Sequence, residues 1–179
     1  MPPQRYRGET PTRRIPVAND LGINLTSRRE GELFRWFLAC LLFGKPIQRQ
    51  VAERAYRELV GARLLSPDAI LQAGWDELVR LLDEAHYVRF DFSTATKLLE
   101  VSKELKERYG SLTRLIAQAK TPAELSARVQ EFKHVGPVTA RIFLQAVRPI
   151  WYGPMPGNPI GKKEPRVSAP AQGACAARH

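Results

Sequence analysis

The stretch from Thr121 to Val147 constrains the fold more than any other part of the chain. It reads TPAELSARVQEFKHVGPVTARIFLQAV, in which two segments with apolar residues at helical spacing flank His134-Val135-Gly136-Pro137. Thr121 and Glu124 have the spacing of a capping box, and proline suits the first helical position because no N–H is needed there. The pattern predicts a helix, a tight turn and a second helix.

This turn is also a candidate anion site. We expect Gly136 to take a positive φ, and the N–H groups of Val135, Gly136 and the next helix's first turn to point outward without partners. Amides arranged in this way suit a phosphate. His134 has three interpretations: an imidazole contact to phosphate, a tolerated turn residue, or a change that spoils the backbone cradle. We favour the turn residue, because histidine adopts unusual backbone conformations more readily than bulky residues do.

The rest of the chain predicts an all-α domain of about eight helices, since no long alternating strand pattern occurs. We expect a flexible basic arm over residues 1–24, a helical domain over 25–152 and a disordered tail over 153–179. Ser27 and Glu30 predict a second capping box. Cys40 is expected as a small core residue, and Lys97 on a solvated helix face.

Composition indicates the kind of partner. The formal net charge is +10, which favours a polyanion. The two cysteines do not form a disulfide framework and point weakly to a reducing compartment. The longest apolar run, residues 33–43, contains Arg35 and is too short to span a bilayer, so we expect no membrane partner. The first residues lack a signal-peptide pattern, and we expect a cytoplasmic protein.

Several motifs resemble those of one protein family. Residues 135–140, VGPVTA, are similar to the V-G-x-x-T-A core of the helix-hairpin-helix motif. Residues 66–71, SPDAIL, followed by Ala73-Gly74, resemble the T-P-E-A-M-L and x-G pattern of the endonuclease III-like branch of the helix-hairpin-helix DNA glycosylases. The order and spacing of such pieces from about Phe34 to Val147 extend the resemblance over most of the chain.

The resemblance implies two sets of contacts with duplex DNA, whether intact, damaged or abasic. Contacts to the DNA backbone fall on Lys133, His134, Val135, Gly136, Val138, Thr139 and Arg141. Candidates for a probe or wedge in the duplex are Lys45, Gln48, Tyr87 and Arg89. The alternative for the probe set is structural: a polar helix start around Lys45 and Gln48, and a packing loop with Phe90 and Phe92 buried.

The chain departs from the family where chemistry is concerned. Val138 occupies the position of the lysine that forms a Schiff base in bifunctional members, so lyase chemistry by that route is not expected. No aspartate follows Asp91, and Glu164 is the only carboxylate residue downstream of the hairpin. Only Cys175 lies where an iron-sulfur cluster needs four cysteines. We therefore assign no catalytic residue, metal or cofactor.

Four hypotheses remain open from the sequence. The first is a DNA-binding protein of the base-excision-repair glycosylase superfamily without lyase activity. The second is an active monofunctional glycosylase that uses Asp83, Glu84 or Asp91 as its acid. The third is a helical scaffold for protein partners that does not bind DNA. The last is a chain whose carboxyl-terminal segment is altered relative to its relatives.

Overall fold

The computed structural model describes residues 17–153, and this part of the chain is all-α. It contains seven α-helices after two short 3-10 turns at Ala18–Leu21 and Leu25–Ser27. The helices are α1 (Glu30–Phe43), α2 (Arg49–Gly61), α3 (Pro67–Glu84), α4 (Asp91–Arg108), α5 (Leu112–Gln118), α6 (Pro122–Gln130) and α7 (Pro137–Trp151). The all-α prediction is confirmed, with close to the expected number of helices. The predicted tail from residue 154 and the arm's first sixteen residues lie outside the described residues.

Helix α1 is the centre of the core. It is apolar on nearly every side, and every residue from Trp36 to Leu42 is buried. It contacts α2, α4, α5 and α7. Cys40 is fully buried, which confirms it as a core residue, and burial raises the pKa of its thiol well above the usual range. An inert buried thiol is the result.

The end of the predicted basic arm is packed. Ala18 and Ile23 are both buried, and Ala18 begins the first 3-10 turn. Burial of these apolar side chains against the core offsets the loss of chain entropy. The boundary predicted at residue 24 is therefore several residues too late.

The predicted capping box at Ser27 and Glu30 is wrong. Helix α1 begins at Glu30, and no side chain caps it. The Glu30 carboxylate instead accepts the N–H groups of Leu112 and Thr113, each at 2.8 Å, at the start of α5. A carboxylate at a helix N-terminus satisfies orphan donors and opposes the helix dipole. The Thr121 hydroxyl does accept the Glu124 N–H, at 3.1 Å, so the helix cap predicted at Thr121 is confirmed.

Helix α3 is interrupted at Gly74. Gly74 has φ of 76° and ψ of 178°, a conformation that only glycine adopts readily. The second half of α3 therefore begins at Trp75 in a new direction, and this direction sets where the indole ring lies.

Gly44, at the end of α1, makes a close approach to α7. A Cβ at this position would lie well inside van der Waals contact of Thr139 Oγ1, and 3.1 Å from the carbonyl oxygen of Cys40. The φ of Gly44 is −68°, so alanine is not strained there by its backbone. Any cost of a side chain at residue 44 is therefore steric.

We expect Gly44→Ala to lower the free energy of unfolding by about 1–3 kcal/mol, the usual cost of overpacking. Urea denaturation measures it. Thr139→Ala removes the clashing hydroxyl, so the loss in the double variant should be smaller than the sum of the two single losses. Strict additivity would show that Gly44 and Thr139 are not in contact.

Candidate functional site

The turn between α6 and α7 lies at the protein surface, and His134 carries its unusual backbone conformation. His134 has φ of 66°, in the left-handed region, which confirms it as a turn residue. Gly136 has φ of −95° and an extended backbone, so the positive φ predicted for it is wrong. The turn reverses two residues earlier than the sequence indicated, because its left-handed residue is His134.

The amides of the turn are only partly available. Val135 donates its N–H to the carbonyl oxygen of Phe132 at 3.0 Å, so the prediction that this amide is unpaired is wrong. The first turn of α7 is different, because the N–H groups of Val138 and Thr139 have no intrahelical acceptor and no side chain caps the helix. Thr139 is only 2% exposed, so the donor at the start of α7 that a phosphate could reach is the N–H of Val138, which is 41% exposed.

The side chains of the hairpin divide into two groups. Val135 and Thr139 are buried and attach the turn to the core, so neither presents its side chain to a ligand. Lys133, His134, Val138 and Arg141 are exposed, Val138 at 41%. Val138 is the residue at which the resemblance implies that a lyase lysine is missing. Its side chain is open to solvent but apolar.

Two of the exposed basic side chains are held by a glutamate of α4. The Glu100 carboxylate lies 2.9 Å from Lys133 Nζ and 2.6 Å from His134 Nε2. Hydrogen bonds from Lys133 and then His134 lower the pKa of Glu100, which keeps the carboxylate ionised. A phosphate bound at the hairpin would take the place of the Glu100 carboxylate beside Lys133 and His134.

A second basic cluster forms around Phe90, in the loop before α4. Lys45 Nζ lies 5.6 Å and the Arg89 guanidinium carbon 5.5 Å from the centroid of the Phe90 ring. Both distances are typical of cation–π contacts. The fold therefore brings together two of the four predicted probe residues, which are 44 positions apart in the sequence.

The other two predicted probe residues have different positions. Gln48 is exposed at the N-cap of α2, where its side chain does not cap the helix. Tyr87 is fully buried, and its hydroxyl donates to the carbonyl oxygen of Leu42 at 2.7 Å. A buried side chain whose donor is already used is not presented to a duplex, so the prediction of Tyr87 as a wedge is wrong. The alternative, a packing loop with Phe90 and Phe92 buried, is also wrong for Phe92, which is 59% exposed.

The carboxyl end of α1 is capped by side chains from elsewhere in the chain. Lys97 Nζ donates to the carbonyl oxygen of Leu41 at 3.3 Å, next to the bond from Tyr87 to Leu42. Carbonyl groups at the end of a helix carry partial negative charge, which favours a cation there. These two bonds fix the segment that leads to Gly44 and Lys45.

Lys97 is the residue whose role the sequence reasoning missed. It is 2% exposed, so its placement on a solvated face is wrong. Burial is the main cause that lowers the pKa of Lys97 to about 8, and the positive charge of Lys45 adds to the shift. The available signal was periodicity, because Lys97 lies on the same face of α4 as the buried Thr94 and Val101.

The hairpin and the loop after α1 meet through Gly44 and Thr139. Thr139 belongs to the first turn of α7, and Gly44 directly precedes Lys45. The start of α7 and the Lys45 loop are therefore neighbours. Tertiary packing joins the two separate sets of candidate residues into one region.

Two of the three candidate acids, Asp91 and Glu84, make contacts within the fold. Asp91 is buried, and its Oδ1 accepts the N–H of Phe92 at 2.7 Å at the start of α4. Glu84 is paired with Arg80 on the surface of α3. Asp91 thus bonds an amide at the start of α4, and Glu84 forms an ion pair on the surface. Neither contact favours the monofunctional glycosylase.

Within residues 17–153, no three histidine, cysteine, aspartate or glutamate side chains are grouped so as to hold a metal ion. No helix in the same range combines the length and the apolar character that crossing a bilayer requires. Compared with known proteins, the chain matches no family model, no curated protein and no solved structure.

Proposed function

We propose that this chain binds the backbone of duplex DNA through the turn between α6 and α7, with the Lys45 and Arg89 cluster as a second contact. Because the chain resembles the helix-hairpin-helix DNA glycosylases, the proposed role of this binding is in base-excision repair. The observation that carries it is the surface turn at residues 131–141. There, uncapped amides at the start of α7 lie beside the basic side chains of Lys133, His134 and Arg141.

The physical basis is the pairing of backbone donors with basic side chains. A phosphate at a helix N-terminus gains from the unpaired N–H groups and from the helix dipole. Lys133 and His134 release Glu100 when they contact the phosphate, so the protein exchanges one charge-assisted contact for another. Binding of this kind reads no base sequence and weakens with salt.

The same proposal excludes lyase activity through a hairpin lysine. The exposed side chain at that position is Val138, which offers neither a nucleophile nor a proton donor. The proposed role is therefore recognition of DNA, with abasic sites included among the candidate ligands.

Salt-dependent duplex binding tests the proposal. In the Lys133→Gln/Arg141→Gln variant, the affinity for a plain duplex should fall about tenfold near 0.1 M salt, because two phosphate contacts are lost. The slope of log affinity against log salt should become shallower by roughly 1.8. Fluorescence anisotropy with intact and abasic duplexes of one length measures both quantities.

The matched control is Arg57→Gln/Arg114→Gln, which makes the same change in net charge on α2 and α5. It should have a much smaller effect on both quantities, since neither residue is in the hairpin. Equal losses in the two variants would mean that the net charge alone attracts DNA, and hairpin docking would be contradicted. Absence of duplex binding at low salt would favour the protein scaffold.

A further inference from the structure

An exposed pair of aromatic rings lies where α3 and α4 meet. The Trp75 and Phe92 rings are stacked, with centroids 5.4 Å apart and planes 26° from parallel. Trp75 is 40% exposed and Phe92 59% exposed, and the nearby loop residue Val88 is 56% exposed. Adjoining aromatic rings that are exposed together form a candidate binding surface.

The ring pair is held in one orientation. The Trp75 indole N–H donates to Thr96 Oγ1 at 3.1 Å, and the Thr96 hydroxyl donates to the carbonyl oxygen of Phe92 at 2.9 Å. Thr96 lies one helical turn after Phe92, and Gly74 sets the direction in which Trp75 leaves α3. A rigid aromatic surface loses little conformational entropy when it binds a ligand.

The surroundings of the pair favour a nucleic acid. Phe90 lies two residues before Phe92, and the cationic groups of Lys45 and Arg89 lie beside its ring. The net charge of the chain is +10. Asp91, the carboxylate between Phe90 and Phe92, is buried and bonded to the Phe92 amide. Aromatic rings next to basic side chains are the arrangement that binds single-stranded nucleic acid.

The size of the patch argues against a protein partner. Stable protein interfaces bury about 800 Å² on each side and some 20–30 residues. Here three apolar side chains are exposed at the α3 and α4 junction. A surface this small fits one or two planar groups, such as nucleobases.

We propose that Trp75 and Phe92 form a stacking platform for an unpaired base, beside the Lys45 and Arg89 cluster that holds its backbone. The proposal rests on the nucleic-acid binding proposed above and adds to it a site for single-stranded or locally opened DNA. The platform binds through the face of the base, so it accepts different bases.

Two oligomers of equal charge test the platform: a 12-nucleotide deoxyadenosine strand, and a strand of the same length that has abasic sugars throughout. The full chain should bind the first about tenfold more tightly, because only that strand can stack. The Trp75→Leu variant, which keeps an apolar side chain, should lose most of this preference, since only the Phe92 ring remains. Thr96→Val, which removes the indole's partner, should lose part of it.

The duplex titration described above separates the two proposals. Trp75→Leu should leave duplex affinity and its salt slope unchanged, whereas Lys133→Gln/Arg141→Gln should leave the preference for bases unchanged. Equal binding of the two oligomers by the unmodified chain would overturn the platform while hairpin docking stood. An undiminished preference for bases in Trp75→Leu would overturn it as well.

Discussion

Replacing Phe37 by alanine should lower the free energy of unfolding by about 3–5 kcal/mol, the usual cost of emptying a fully buried aromatic site. The Phe37 ring is completely buried in α1. Its centroid lies 6.0 Å from that of Phe132 and 5.4 Å from that of Phe143. Phe132 follows α6 and Phe143 lies in α7, so one side chain of the central helix supports both sides of the hairpin.

The loss should be measured by urea denaturation. It is a large part of the total stability of an ordinary domain, which is about 5–15 kcal/mol. Phe92→Ala makes the same chemical change at an exposed site and should cost roughly 0.5 kcal/mol or less. Similar losses at the two positions would contradict the packing of the hairpin on α1.

The second large effect concerns the buried ammonium group of Lys97 and its dependence on pH. Folding lowers the pKa of Lys97 from 10.5 to about 8, chiefly through burial and then through Lys45. Between these two values the unfolded chain binds more protons than the folded one, so the contribution of this group to stability rises with pH. Below about pH 8 both states are protonated, and the full cost of burying the charge remains.

We therefore expect the stability of the unmodified chain, relative to Lys97→Met, to rise by about 2 kcal/mol from pH ~7 to ~9.5. Cys40 and the tyrosines are present in both proteins, so their own titrations largely cancel in the difference. Denaturation curves at several pH values measure it.

The control for Lys97 is Lys103→Met on the same helix. Lys103 is exposed, and its nearest carboxylate, that of Glu107, lies 3.9 Å away. This variant removes the same charge from an exposed site, so it controls for the change in net charge. If the stability difference between the unmodified chain and Lys97→Met did not change with pH, the Lys97 ammonium would be solvated in the folded protein, and its bond to Leu41 would not be the contact that fixes the end of α1.

The sequence by itself was sufficient for local features. Apolar side chains recur with the 3.6-residue repeat of a helix, and this spacing predicted an all-α chain. The start of α6 at Thr121 and the break in α3 at Gly74 depend only on those residues and their close neighbours in the sequence. His134 was also expected as a turn residue from the backbone preference of histidine, although the sequence indicated Gly136 as the left-handed residue.

Only the tertiary structure decided which distant groups meet. Glu30 caps α5 across 82 positions, Lys97 caps α1 across 56, and Lys45 shares the Phe90 ring with Arg89. The resemblance made Tyr87 a candidate for contact with DNA, whereas the fold buries it and bonds its hydroxyl to the carbonyl oxygen of Leu42. The reason is that helical periodicity fixes which face of a helix is apolar but not which polar groups from other helices pack at its ends, where unpaired carbonyl and amide groups need partners.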